Sequence, residues 1–268
     1  MLVCRYADGG RPGHGRVDLD DGRVVPVEYE PAVARWVSRP GPARPLGEVT
    51  LLPPAKPSKI VCVALNHPPA TRSGSCPVVL KPPSSLVAHE EPVRHPGGVW
   101  QLRHEAELAV VIGVRCVRVR PGDAASVIAG YTCANDITAY ADPPDAVAVP
   151  WAKHFDGLSP IGPWLATDLD PADAEITCRV DGEVRQQGRT RDLLVGIPEI
   201  VAQVSEHTTL LPGDVILTGT PAGSGPLAVG SRVEVSIPGV GTLRNVIDPP
   251  VALSGAGRGR GRNAVIDA

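Results

Sequence analysis

Glu105 and Glu107 are the first residues in this chain whose type and spacing suggest chemistry. They lie in His104-Glu105-Ala106-Glu107-Leu108-Ala109-Val110-Val111-Ile112-Gly113, which reads as a strand entering a core. Side chains alternate across a strand, so the two carboxylates share one face. That face continues with Ala109 and Val111, both apolar. Two like charges on a face leading inward repel, and burying either without a partner is costly or forces its pKa to shift. A divalent cation removes both difficulties. Mg²⁺ takes hard oxygen ligands in an octahedron and keeps waters that a substrate can displace. Asp136 is placed to be a third acid, at the end of the apolar run Tyr131-Thr132-Cys133-Ala134-Asn135-Asp136. On spacing alone, the Glu pair fits a solvated edge strand as well as a metal site.

Two further stretches carry polar groups in telling contexts. Leu217-Thr218-Gly219-Thr220-Pro221-Ala222-Gly223 is a strand ending in a small-residue turn. Such turns offer backbone N–H groups, and here the Thr220 hydroxyl, to an anionic ligand; an ordinary tight turn has the same composition. In Ala152-Lys153-His154-Phe155-Asp156-Gly157, Lys153 is one of four lysines in a chain that otherwise uses arginine, and Lys81 is another. An ammonium is a compact charge that can pair with a carboxylate or an enolate.

The elements that must position these groups are mostly strands. Leu2 to Tyr6, Gly15 to Leu19 and Arg23 to Val27 read as short strands, with Asp21-Gly22 as a hairpin turn. Pro31 to Val37 is expected as a short helix, and the Pro- and Gly-rich Arg39 to Pro45 as a linker. Beyond Lys59, the strand candidates are Ile60 to Leu65, Val78 to Lys81, Glu105 to Gly113, Tyr131 to Asp136, Ile176 to Val180, Glu183 to Gln187, Val215 to Thr218, Arg232 to Ile237 and Thr242 to Val246. Gly122 to Ala129 has helical character, and Ile197 to His207 has apolar residues at a helical period. Many strands and few helices predict a β-rich α+β fold. Residues 1–55 are expected to form a small N-terminal domain, 56–250 the catalytic domain, and 251–268, rich in Gly and Arg, a disordered tail.

Composition bounds the function. The net charge of −3 gives no basic face of the kind that binds nucleic acid. No stretch is long and apolar enough for a bilayer span, and the first residues lack a signal-peptide pattern, so a cytoplasmic protein is expected. The six cysteines are scattered and form no C-x-x-C pair, which suggests buried thiols.

Taken in order, these segments resemble the fumarylacetoacetate hydrolase family. The matching runs are Lys59-Ile60 to Asn66, Lys81-Pro82-Pro83-Ser84, His104 to Gly113, Ala129-Gly130-Tyr131 to Asp136, Lys153 to Pro163 and Gly213-Asp214-Val215 to Gly223, closed by Gly239 to Asn245. The resemblance implies a β-rich roll or barrel around the site, and a homodimer. It implies Mg²⁺ or Mn²⁺ on Glu105, Glu107 and Asp136, with Lys153, Thr220 and Lys81 facing a small 2-oxo acid or 1,3-dicarbonyl substrate. Family chemistry is C–C hydrolysis, decarboxylation, isomerisation or tautomerisation, all through a metal-stabilised enolate.

The chain also departs from the family. Hydrolytic members carry Asn-Tyr-x-x-His-x-x-Glu after the first strand, whose His and Glu activate water. Here the run is Asn66-His67-Pro68-Pro69-Ala70-Thr71-Arg72-Ser73, with Ala70 and Ser73 in those two places. His67, in the Tyr place, is the candidate to act instead. After Asp136 the family often continues with Ser/Thr-x-Arg-Asp, and here Thr138-Ala139 is followed by Tyr140-Ala141 in place of that charged pair, so Tyr140 is the expected substrate contact and a less acidic or larger substrate is expected. Chemistry that needs a metal but no activated water survives these changes best.

Overall fold

The computed structural model describes residues 1–30, 35–71, 74–144 and 149–250. Short apolar runs bounded by Gly, Pro and Asp turns become strands, and the result is a strand-rich α+β fold with one α-helix among the described residues. The largest sheet has 13 strands. Its central path runs from Arg35–Ser38 through Arg23–Glu30, Arg11–Asp18, Leu2–Asp8, Ser159–Ala166, Ile128–Asn135, Ala106–Ile112, Val215–Leu217 and Ile60–Val63 to Val78–Lys81. The path ends on different strands, so the sheet does not close into a barrel. The N-terminal hairpins join it through Leu2–Asp8, whose Leu2 pairs antiparallel with Ala166.

A second sheet of five strands carries the Glu175–Val180 and Glu183–Arg189 hairpin. A third, of three strands, pairs Trp100–Arg103 with Thr138–Ala141 and Pro226–Leu227. The helix Ile197–His207 buries Ile197, Ile200, Val201 and Val204, the stripe its sequence period predicts. Val, Leu, Ile and Ala fill the core, and all six cysteines are buried and outside any disulfide. No helix among the described residues is long and apolar enough to cross a membrane.

Two local expectations are corrected, and one strand is added. Arg35–Ser38 is a strand, not the end of a helix, because its β-favouring Trp36 pairs with Tyr29 across a hairpin; residues 31–34 lie outside the described residues. Helix 122–129 is a 3₁₀ segment, Pro121–Val127, that gives way to strand at Ile128. Ser159–Ala166 is a buried strand that its two prolines, Pro160 and Pro163, conceal from a sequence reading. The expected tail, 251–268, also lies outside the described residues.

Candidate metal centre

Ala106–Ile112 is flanked by Ile128–Asn135 on one side and by Val215–Leu217 on the other, so it is a central strand. That excludes the solvated-edge alternative for the Glu pair. Leu102, His104, Ala106 and Leu108 point into the core, while Arg103, Glu105 and Glu107 line a cavity of about 720 Å³. Glu107 pairs in register with Ala134, which brings the end of the neighbouring strand, and Asp136 just beyond it, to the same place. The turn at Asp136 is fixed locally: Asn135 Oδ1 accepts from Glu105 N–H at 2.9 Å, and Asp136 N–H donates to Glu105 O at 2.8 Å. One carboxylate oxygen from each of Glu105, Glu107 and Asp136 lies within 4.8 Å of the others.

Each acid also has an outer partner. Glu105 Oε1 accepts from the Thr138 hydroxyl at 2.7 Å. Glu107 Oε2 accepts from Gly219 N–H at 2.6 Å. Asp136 Oδ1 accepts from Lys81 Nζ at 2.8 Å. Lys153 Nζ bridges Glu105 Oε2 at 2.9 Å and Asp136 Oδ2 at 2.6 Å. Such outer bonds orient ligand oxygens toward a shared point. A hard, all-oxygen donor set of three carboxylates with these restraints fits Mg²⁺ or Mn²⁺.

The electrostatics agree. Burial and the nearby Asp136 charge push the Glu107 carboxyl well above its ordinary value. Burial works against ionised Asp136 too, but Lys153 and Lys81 outweigh it and hold that carboxyl at about 2. Burial disfavours the Lys153 ammonium, yet Asp136 and Glu105 more than compensate and raise its pKa, so it stays a cation. Without a further cation, Glu107 is the acid left without sufficient compensation.

The predicted residues divide into those that face the cavity and those that stand behind it. Lys153, Thr220, His67 and Tyr140 line it with the three acids. Lys81, expected to touch substrate, stands behind Asp136 instead. It is 1% exposed, and its three donors go to Asp136 Oδ1, Ile137 O and Leu158 O. The Thr220 hydroxyl donates to Ala106 O at 2.8 Å, so toward a ligand it can only accept. His67 is 5% exposed and its Nε2 has no hydrogen-bond partner. Burial holds its pKa below the ordinary value, against a weaker pull from Asp192, so the ring is neutral at pH 7. Ala70 lines the cavity as well, whereas Ser73 lies outside the described residues.

Sequence reading missed the residues that lock the two walls together. Gln186 is 1% exposed and uses its whole amide. Its Nε2 donates to Thr220 Oγ1 at 2.8 Å and Pro221 O at 2.7 Å. Its Oε1 accepts from Ala106 N–H at 3.1 Å and faces His104 Nδ1 at 2.8 Å. Asn66 ties its loop to Val195 and to Thr218 O. Gly219 has φ of +108°, and a Cβ there would come within 2.9 Å of Asn66 Cβ, so the turn requires glycine. Only long-range pairing makes these residues neighbours.

Residues 58–248 match the family model for the fumarylacetoacetate (FAA) hydrolase C-terminal domain, and residues 1–54 match one described as Rv2993c-like, N-terminal. The chain belongs to the fumarylacetoacetate hydrolase family. Among its family relatives, human mitochondrial oxaloacetate tautomerase FAHD2A is 36% identical over 77% of this chain and 72% of its own. A crystal structure of 5-carboxymethyl-2-hydroxymuconate delta-isomerase from Mycobacterium smegmatis superposes with a TM-score of 0.86 at 36% identity, covering 93% of this chain and all of that one. Maleylpyruvate hydrolase from Sphingobium sp. SYK-6, in complex with manganese(II) and pyruvate, gives a TM-score of 0.77 at 28% identity over 93% of this chain and 100% of its own. Similar proteins thus include a tautomerase, an isomerase and a hydrolase, one of them seen with a divalent metal.

Proposed function

We propose that this chain is a divalent-metal enzyme that interconverts tautomers or double-bond isomers of a 2-oxo acid, without activating water. The observation that carries the reading is the meeting of Glu105, Glu107 and Asp136 within 4.8 Å in one cavity with Lys153. Mg²⁺ or Mn²⁺ held by these acids supplies Lewis-acid polarisation of adjacent substrate oxygens.

The chain's own groups do the rest. Lys153, a cation in the metal-free chain, stands beside Glu105 and Asp136, where its charge would stabilise negative charge on a substrate oxygen. It shares oxygens with Glu105 and Asp136, so its donors reach a substrate oxygen to the extent that these carboxylates are satisfied otherwise. Thr220 presents a lone pair, suited to an enol O–H. His67 is the candidate proton carrier: it is neutral and lines the cavity, and its Nε2, unpaired but buried, must be exposed by a turn of the ring before it can meet a substrate. The names of the human tautomerase and the mycobacterial isomerase support reactions of this class. Ala70, in the place of the water-activating His, weighs against the hydrolytic alternative that the maleylpyruvate hydrolase keeps open.

The test is to add Mn²⁺ and oxaloacetate to the purified chain and follow enol absorbance and product mass. Catalysed enol relaxation with unchanged mass is expected. Loss of CO₂ would make the chain a decarboxylase, and with an acylpyruvate, products heavier by one water in total would make it a hydrolase. His67→Gln is expected to lower kcat by about 10²–10⁴-fold. Since only the neutral ring accepts a proton, wild-type activity is expected to fall as pH drops below the ring's lowered pKa, which lies under the ordinary 6.5. Wild-type kcat in His67→Gln would remove His67 from the mechanism.

A further inference from the structure

Arg103 is a cavity residue that the proposed chemistry leaves unused. It lies two residues before Glu105 on the cavity-facing side, so about 7 Å of extended chain separates their Cα atoms. Its Nη2 donates to Ser224 O at 2.7 Å, just before Pro226–Leu227, the strand that pairs alongside Trp100–Arg103. Its guanidinium carbon sits 5.9 Å from the centre of the Tyr140 ring, and Tyr140, 48% exposed, lines the same cavity. The head group is therefore held from two sides at the cavity mouth. It makes no ion pair among the described residues, whereas Lys153, the other basic residue lining the cavity, is bonded to Glu105 and Asp136.

We propose that Arg103, seated on Tyr140, is the specificity residue that receives the distal carboxylate of a 2-oxo diacid. This rests on the metal-site reading above and names the substrate class for it. Charge balance supports it. Three ionised acids against Lys81 and Lys153 leave one negative charge; a divalent ion turns this into one positive charge, and Arg103 makes it two. A dianion neutralises that site. The guanidinium retains N–H groups beyond the one given to Ser224, and its planar fork matches a carboxylate. The loss of the family's Arg after Asp136 thus marks no less acidic substrate: the cation comes from the preceding strand, and Tyr140 supports it.

The experiment is calorimetry on the full chain with Mn²⁺, using two ligand pairs that differ only in the distal group. These are oxaloacetate with 2-oxobutanoate, injected fresh, and 2-oxoglutarate with 2-oxopentanoate. Wild type is expected to bind the diacid of at least one pair about tenfold or more tightly than its partner. Arg103→Gln is expected to erase that preference through the diacid alone, and Arg103→Lys to restore part of it. Monoacid affinity reports the integrity of the folded site in each variant. If wild type binds the monoacids but prefers neither diacid, or if Arg103→Gln keeps the preference or weakens both ligands equally, the Arg103 assignment is overturned and the metal-site reading stands. If wild type with Mn²⁺ binds no 2-oxo acid at all, both are overturned.

Discussion

Glu107→Gln is expected to reduce Mn²⁺ affinity by about 100-fold or more while making the metal-free protein more stable at neutral pH and above. The two effects have one cause. Glu107 is 2% exposed and its nearest carboxylate neighbours are Asp136 and Glu105, so its charge is unfavourable until a cation arrives. The glutamine keeps the volume and the acceptor for Gly219 N–H, and removes only the charge. The sign follows from proton binding. Because the folded carboxyl has a raised pKa, the folded metal-free state holds this proton over a pH range where the unfolded chain has lost it. Stability therefore falls as pH rises from the ordinary value of 4.5 toward the raised one. The variant lacks this decline, and its gain at pH 8 is expected to be about 1–4 kcal/mol. Denaturant unfolding without metal, paired with Mn²⁺ calorimetry, measures both. A variant that is less stable and binds Mn²⁺ normally would mean that Glu107 is a structural acid.

Lys81→Met is expected to cost about 3–5 kcal/mol of stability, more than removing any exposed ion pair. Lys81 and Asp136 are both nearly inaccessible, and the ammonium also serves Ile137 O and Leu158 O. Removing it strands two buried carbonyls and leaves Lys153 alone to hold Asp136 ionised. Lys59→Met is the matched control. Lys59 also pairs with a buried acid, Asp214, but that acid keeps bonds from Ser58 N–H, Ser58 Oγ and the N–H groups of Lys59 and Leu211. Its loss is expected to be smaller. Equal midpoints in urea for wild type and Lys81→Met would refute the supporting role and reopen direct contact with substrate.

How far the sequence carried depends on how local each determinant is. The Glu-x-Glu pair was legible because strand alternation alone puts both acids on one face. The strand's central place in the sheet was not, since it depends on pairing with Val215–Leu217, about 110 residues away. The helix Ile197–His207 was legible from its apolar period and its proline. Ser159–Ala166 was not, because its prolines read as breakers until their neighbours are known. Lys81 stands out in the sequence as a rare lysine, yet rarity says nothing about direction, and its ammonium points behind the acids. Arg103 carries no signal as one arginine among many; only the cation–π contact with Tyr140 and the bond to Ser224 distinguish it. Gln186 and His104 act through a buried network whose members come from distant parts of the chain.

In the proposed function, Glu105, Glu107 and Asp136, at the ends of two neighbouring strands, together hold one hard cation. Diffraction from crystals grown with Mn²⁺, recorded on both sides of the manganese absorption edge, tests it directly. One strong anomalous peak per chain is expected, in contact with an oxygen from each of Glu105, Glu107 and Asp136 and absent in Glu107→Gln crystals. Fully ordered carboxylates with no peak between them, at saturating Mn²⁺ and with Lys153 still bridging Glu105 and Asp136, would contradict it.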